Sequence, residues 1–206
     1  MCAGAQSGIE RTMKYDEEGN VVGFHEFPQL ETKRLVLRQM STNDADFYFR
    51  HFSDPDIVEF HAFDGPENID IAKKELKEYC LDIFVNDMGI RWGITKKESP
   101  ELIGTCGFYK WGKLVRRAEI GNDLAPDFRR QGIMTEALTA MIDFLFGPVQ
   151  LNRLEAFTDP RNEGSNRVLQ KLGFKREGVL RDYTYFHGRF LDDHLYALLK
   201  RDWENR

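Results

Sequence analysis

The sequence predicts an α+β domain built on a mixed sheet. Three features predict it. Alternating segments joined by hairpin-type linkers run between residues 90 and 124, an amphipathic helix then leads into a further strand and helix, and an aromatic-rich strand pair closes the chain. A length of 206 residues suits one globular domain, or one domain with a short appendage. Hydrophobic residues at 41% and charged residues at 31% exclude a disordered or fibrous chain.

The elements follow in order. Residues 1–30, with four glycines and the turn-like Asp16-Glu17-Glu18-Gly19-Asn20, read as an extension or loose hairpin ahead of a domain at 31–206. Arg34-Leu35-Val36-Leu37-Arg38 alternates as a strand does. Thr42 or Asn43 then caps a helix through Phe52, with Phe47, Tyr48, Phe49 and Phe52 on its core face and flank. A longer helix is expected from Asn68 to Asn86, because Ala72, Leu76, Tyr79, Cys80 and Ile83 form one stripe. Strands follow at Ile90–Thr95, Leu102–Tyr109 and Arg117–Leu124. Ile133, Ala137, Leu138, Met141, Ile142 and Leu145 share a helix face that ends before Gly147-Pro148. The strand Leu154–Thr158 leads into a helix from Glu163 to Leu172, closed by Gly173. Strands Tyr183–His187 and Phe190–Leu199 end the chain, separated by Gly188.

Composition narrows the function. The 29 Lys and Arg against 34 Asp and Glu leave a formal charge of −5, which argues against nucleic acid as the ligand. No apolar run reaches a membrane span of about 20 residues, and no secretory signal is expected at the start. Cysteines at 2, 80 and 106 and histidines at 25, 51, 61, 187 and 194 show no metal-ligand spacing. A reduced, cytoplasmic protein without a metal is the expectation.

The most informative segment is Asp123-Leu124-Ala125-Pro126-Asp127-Phe128-Arg129-Arg130-Gln131-Gly132-Ile133-Met134-Thr135-Glu136-Ala137. It runs from a strand end through a proline-marked break into a helix. Unpaired N–H groups at such a helix start form an anion site, Gly132 removes a Cβ that would hold a phosphate off, and Arg129 and Arg130 add charge. The plain alternative is a tight-turn glycine beside two solvated arginines. A Walker loop and a dinucleotide fingerprint are both excluded by the missing residues.

Arg129-Arg130-Gln131-Gly132-Ile133-Met134 resembles the Arg/Gln-x-x-Gly-x-Gly/Ala signature of the GNAT N-acetyltransferases, with Met134 departing at the last position. Glu31–Arg38 is similar to the opening strand of the ribosomal-protein N-terminal acetyltransferase branch (RimJ/RimL-like) of that family. Ala118-Glu119-Ile120-Gly121 resembles its fourth strand, and Asp159–Asn166 with Leu169–Phe174 resembles its second coenzyme A motif. The likeness covers about residues 31–200 in the expected order.

The resemblance implies a mostly antiparallel central sheet flanked by helices and splayed near Asp123-Leu124 to admit acetyl-CoA as cosubstrate. It implies contacts to acetyl-CoA from Asp123, Leu124, Ala125, Arg129, Arg130, Gln131, Gly132, Ile133, Met134, Thr135, Asn162, Ser165 and Asn166. The Leu124 N–H would face the thioester carbonyl. Many members carry a tyrosine acid where this chain has Leu169, so Ser165, or a water it orders, is the substitute expected to protonate the thiolate. Glu119 is the first choice of base, acting through water; a salt bridge to Arg116 or Arg117 is its alternative, and Asp182 or Tyr183 its rivals. His51, His61, Phe63 and Tyr183 are placed on the acceptor side. His187 and His194 read as a polar edge or satisfied core groups, and Cys106 as a small buried hydrophobe.

A weak base suits an α-amine, with a pKa of about 7.7–8.0, better than a lysine at about 10.4. The expected reaction is therefore acetylation of a primary amine, foremost a protein N-terminus such as that of a ribosomal protein. The alternatives are a small amine (polyamine, amino acid or antibiotic), drawn by Asp54, Asp56, Glu59, Asp64 and Glu67, or a non-catalytic acyl-CoA sensor. A homodimer is left open.

Overall fold

Short polar linkers between alternating segments make most neighbouring strands antiparallel. The computed structural model describes residues 12–206. A hairpin of β1 (Met13–Tyr15) and β2 (Val21–Phe24) comes first. The main sheet comprises β3 (Leu30–Glu31), β4 (Leu35–Gln39), β5 (Ile90–Lys96), β6 (Leu102–Gly112), β7 (Arg117–Leu124), β8 (Arg153–Thr158), β9 (Lys175–Phe186) and β10 (Arg189–Leu199). Its spatial order is β3-β4-β5-β6-β7-β8-β10-β9, and β7–β8 is its parallel pair. The expected class, a mixed and mostly antiparallel sheet flanked by helices, is what forms.

The helices are α1 (Ala45–Phe52), α2 (Pro55–Val58), α3 (Ile69–Leu76), α4 (Asp82–Val85), α5 (Ile133–Phe146), α6 (Glu163–Lys171) and α7 (Lys200–Glu204). The α5 stripe of Ala137, Leu138, Met141, Ile142 and Leu145 is fully buried against Leu35, Leu37, Trp92, Ile94 and Phe108 of the sheet. Each large apolar side chain there contributes about 1.5–3 kcal/mol on burial. A second cluster covers another part of the sheet, joining Tyr48 and Phe52 of α1, Ile57 of α2 and Ala72 and Leu76 of α3 to Met40 and Leu102.

Several boundaries differ from the sequence reading, each for a local reason. The first helix is capped by Ser41, not by Thr42 or Asn43; Ser41 and Asp44 form a reciprocal capping box over a 3-10 turn, Thr42–Asp44. The helix expected over 68–86 is broken by a π-helical turn, Lys77–Leu81, between α3 and α4. Strand β9 begins at Lys175, well before the expected Tyr183, because an edge strand keeps polar side chains on both faces and shows no alternation. The β1–β2 hairpin buries Met13, Val21 and Phe24 in the main core. Trp92 Nε1 also donates to the Pro28 carbonyl at 2.6 Å. Residues 1–11 lie outside the described residues.

Two features of the sheet position the site. The β7–β8 pairing covers only Arg117–Glu119 against Arg153–Glu155. And β10 pairs with β8 only from His194 to Leu199, so the remainder of β9–β10 projects as a two-stranded ribbon.

Candidate functional site

Beyond Glu119 and Glu155 the two parallel strands part. Ile120–Leu124 stay paired to β6, while Ala156–Thr158 stay paired to β10, so a gap opens between their facing edges. This is the expected splay at Asp123-Leu124. The Ala125 N–H donates to the Ile103 carbonyl at 2.9 Å. Since alternate N–H groups of a strand point to opposite sides, that of Leu124 is directed into the gap.

A buried ion cluster fixes this backbone. The Asp123 carboxylate, 4% exposed, accepts from the Thr105 N–H at 3.1 Å and the Thr105 hydroxyl at 2.6 Å. It also accepts from the Arg91 guanidinium and from His51 Nε2 at 2.6 Å. Burial works to raise its pKa, but Arg91, aided by His51 and Thr105, holds the carboxyl well below the usual range. Arg91 Nε donates to the Thr105 hydroxyl at 2.7 Å and closes the network.

Two of the expected site residues are placed in this cluster. The Asp123 side chain is occupied by Arg91, His51 and Thr105, and it sets the strand on which Leu124 sits. His51, expected on the acceptor side, is buried and bonded to Asp123. Its place in the sequence, three and one residues from the buried Tyr48 and Phe52, was the available signal.

The loop from Ala125 to Thr135 leaves the gap edge. A 3-10 turn, Pro126–Phe128, precedes left-handed backbone at Arg130 (φ 61°) and Gly132 (φ 73°). Such turns bring successive N–H groups toward a common concavity. Gly132 is the N-cap of α5 and no side chain caps the helix, so the first N–H groups of α5 are left for an anion. The Ile133 and Met134 side chains are buried in the core, which keeps Met134 off the backbone cradle. Arg129 is turned back instead: it donates to the carbonyls of Leu124 at 3.2 Å and Asp56 at 3.0 Å, tying the loop to α2. Gln131 donates to the Asp127 carbonyl at 2.8 Å.

A clamp on this loop was not foreseen. Glu136 accepts from the Thr32 hydroxyl at 2.5 Å and from Arg34 Nε at 2.7 Å, while Arg34 also donates to the Gln131 carbonyl at 3.1 Å. The pair joins positions about a hundred apart, so no local pattern announces it.

At the start of α6, Asn162 Oδ1 accepts from the Ser165 N–H at 3.0 Å, and Ser165 itself is half-buried. Asn166, also expected at the ligand, is buried, accepts from the Thr158 hydroxyl at 2.8 Å and donates to the Pro160 carbonyl at 3.2 Å, so it fastens α6 to β8.

Next to Glu119 lies a cavity of about 270 Å³. Of the four expected acceptor-side residues it brings together His61 and Tyr183; Phe63 packs instead beside Phe52, at 6.0 Å between rings. Tyr183 stacks on Phe157 with ring centres 5.5 Å apart. The cavity carboxylates are mostly engaged. Glu119 is paired with Lys110 at 2.9 Å, not with Arg116 or Arg117. Asp159 is held by Arg161 at 2.6 Å, and Asp193 accepts from the Thr184 hydroxyl at 2.7 Å. Glu59 completes the set. Asp182 does not line this cavity: its N–H donates to Asp192 and its backbone turns at φ 54°. His187, at the tip of the β9–β10 ribbon, meets Asp64 at 2.6 Å.

Comparison with known proteins gives a consistent set of relatives. Residues 34–175 match the family model of the acetyltransferase (GNAT) domain. The uncharacterised N-acetyltransferase YoaA of Bacillus subtilis is 37% identical over 174 residues, covering 84% of this chain and 98% of that protein. The ribosomal protein uS5-alanine N-acetyltransferase of Escherichia coli is 28% identical over 186 residues, covering 85% and 92%. Among solved structures, spermidine N-acetyltransferase of Vibrio cholerae, in complex with CoA and spermine, superposes with a TM-score of 0.74 at 20% identity, covering 84% of this chain and all of that one.

Proposed function

Because this chain belongs to the GNAT acetyltransferase family, and so is an N-acetyltransferase that uses acetyl-CoA, we propose that its acceptor is a protein N-terminal α-amine taken up in the cavity beside Glu119. The observation that carries this reading is the charge balance of that cavity. Four carboxylates line it, but Lys110 already neutralises Glu119 and Arg161 already neutralises Asp159. Two carboxylates, Glu59 and Asp193, are left without a cationic partner among the described residues, a modest negative charge that suits the ammonium of a chain terminus better than a long polycation. The relative named as a ribosomal protein uS5-alanine N-acetyltransferase supports the same choice.

Acetyl-CoA fits the other side of the gap. The uncapped start of α5, the left-handed Gly132 and Arg130 would hold its pyrophosphate, and the Asn162–Ser165 turn would meet its pantetheine arm. When bound, it supplies the acetyl group as a thioester. The Leu124 N–H then donates where negative charge develops on the carbonyl oxygen, an effect commonly worth about 10²–10³ in rate. The Ser165 hydroxyl relays a proton to the leaving sulfur, passing on the one that the acceptor nitrogen gives up as the amide forms. Glu119 exchanges its Lys110 partner for the acceptor ammonium and orients it. Both substrates point to a cytoplasmic site of action.

The test is thiol release from acetyl-CoA with a hexapeptide bearing a free N-terminal alanine, the same peptide with its α-amine blocked, and spermidine. Turnover confined to the free α-amine, located by mass spectrometry, is expected. Turnover of spermidine in preference to the peptide would replace the acceptor while keeping the family.

A further inference from the structure

Proton removal from the acceptor needs a base, and the carboxylate chosen on sequence grounds is already occupied. Glu119 is ion-paired at 2.9 Å to Lys110, Asp159 is bonded to Arg161, and Asp193 receives the Thr184 hydroxyl. An ordinary carboxylate, with a pKa of about 4, is in any case a poor proton acceptor near neutral pH.

We propose that His61 is the base that accepts the acceptor's proton, through its Nε2 atom. The assignment rests on the reading of the cavity as the acceptor site. His61 lines that cavity together with Glu119, Tyr183 and Asp193. Its Nδ1 lies 2.6 Å from the Ile57 carbonyl oxygen. A carbonyl can only accept, so Nδ1 carries the hydrogen and Nε2 of the neutral ring keeps its lone pair. Nδ1 faces back to the chain's own turn, which leaves the Nε2 edge for the cavity.

The turn is held for this purpose. The His61 N–H donates to the Val58 carbonyl at 2.9 Å, Phe52 meets the ring edge-on at 6.2 Å, and the next residue, Ala62, takes left-handed backbone at φ 47°. An L-residue keeps that conformation only where its surroundings impose it.

The electrostatic setting agrees. Crowding by protein lowers the His61 pKa below the ordinary imidazole value, which keeps the ring neutral at pH 7. Asp123 of β7 opposes this, while Arg91 of β5 and His51 of α1 reinforce it. From the cavity walls the ring also faces Glu59 on its own segment, Glu119 and Lys110 as a pair, Tyr109 of β6, Asp159, Tyr183 of β9 and Asp193 of β10.

The balance is simple. One N–H bond of the acceptor ammonium breaks, the proton joins His61 Nε2, and the neutral amine attacks the thioester carbonyl carbon. As the C–N bond forms and the C–S bond breaks, the nitrogen's second surplus proton leaves with the thiol. The imidazolium then returns its proton to solvent, so each turnover releases one proton.

The deciding experiment is the pH dependence of kcat/KM from pH 5.5 to 9.5 for the enzyme and for His61→Gln, with the alanine-terminated hexapeptide. The enzyme should show an acid limb titrating below about pH 6.5. The variant should lose that limb and fall about 100-fold at pH 7, with unchanged acetyl-CoA affinity by calorimetry. The deficit should shrink below tenfold at pH 9.5, where the α-amine is already neutral. A deficit constant across the range, or one traced to weaker acetyl-CoA binding, would overturn the proposal. If spermidine alone is turned over, the acceptor reading has failed, and the same profile run with spermidine still decides this one. Nitrogen-15 NMR of the ring is independent of turnover: protonated Nδ1 with bare Nε2 at pH 7 is expected, and protonated Nε2 would refute the assignment.

Discussion

The two sides of the β7–β8 gap are built by different means. On the loop side, one contiguous run, residues 123–135, offers backbone N–H groups, and its conformation is set by a proline, two left-handed positions and a helix start. On the cavity side, the walls are side chains from segments scattered between Glu59 and Asp193. A surface made of backbone tolerates exchange of its side chains but not of its dihedral angles. A surface made of side chains is the reverse.

The largest expected effect comes from the cluster beneath both sides. Asp123→Ala leaves the Arg91 guanidinium buried without its carboxylate and should cost about 3–5 kcal/mol in a urea titration. The folded-state pKa of Asp123 is lowered, so its stabilisation is complete above the unfolded value of about 3.9 and is lost as pH falls below it. Between pH 5 and pH 2 the parent should therefore lose more stability than Asp123→Asn. Equal losses would show that the cluster is not the acid-sensitive element.

On the loop side, Ser165→Ala should lower kcat about 100-fold, as removal of a general acid does, with acetyl-CoA affinity retained. Normal turnover in that variant would remove Ser165 from the reaction. Next in size is Gly132→Ala. No protein atom lies closer than Arg34, 3.7 Å from the added Cβ, so the cost is conformational: about 1–2 kcal/mol for left-handed backbone. Acetyl-CoA should bind about tenfold more weakly by calorimetry as the loop relaxes. Unchanged affinity would mean that the loop's dihedral angles are not what the ligand reads.

The smallest effect belongs to the cavity. Lys110→Met frees Glu119 from an exposed partner and should lower the acceptor KM about threefold, the scale of a surface ion pair, with acetyl-CoA binding untouched. A rise in KM would make Lys110 part of the acceptor's own binding.

The same contrast explains what the sequence disclosed. Gly132, the α5 stripe and the proline break are local signals with local causes, and the loop could be read from them. The strand parting at Glu119 could be anticipated only through family likeness, since nothing in Ile120–Leu124 states which neighbour it lacks. His51 and Asp123 are 72 positions apart, and Arg34 and Glu136 are 102 apart. Their pairing is a property of the closed sheet, invisible to any window on the chain. Lys110 escaped notice for a related reason. It faces Glu119 across antiparallel strands, one register step from the direct Tyr109–Glu119 pair, while Arg116 and Arg117 were the sequence neighbours. Strand β9 was half missed because its pattern is that of an edge.

The ribbon formed by the free ends of β9 and β10 has a consequence for how such an enzyme can change. It contributes Tyr183, Thr184, Leu191 and Asp193 to the cavity, yet it pairs with nothing beyond His194, and its tip is joined to the α2 side through His187 and Asp64 alone among the described ion pairs. Among the described residues it shares no hydrogen bond with the 123–135 loop. Exchanging this one hairpin therefore remakes a wall of the cavity while leaving the 123–135 loop as it is.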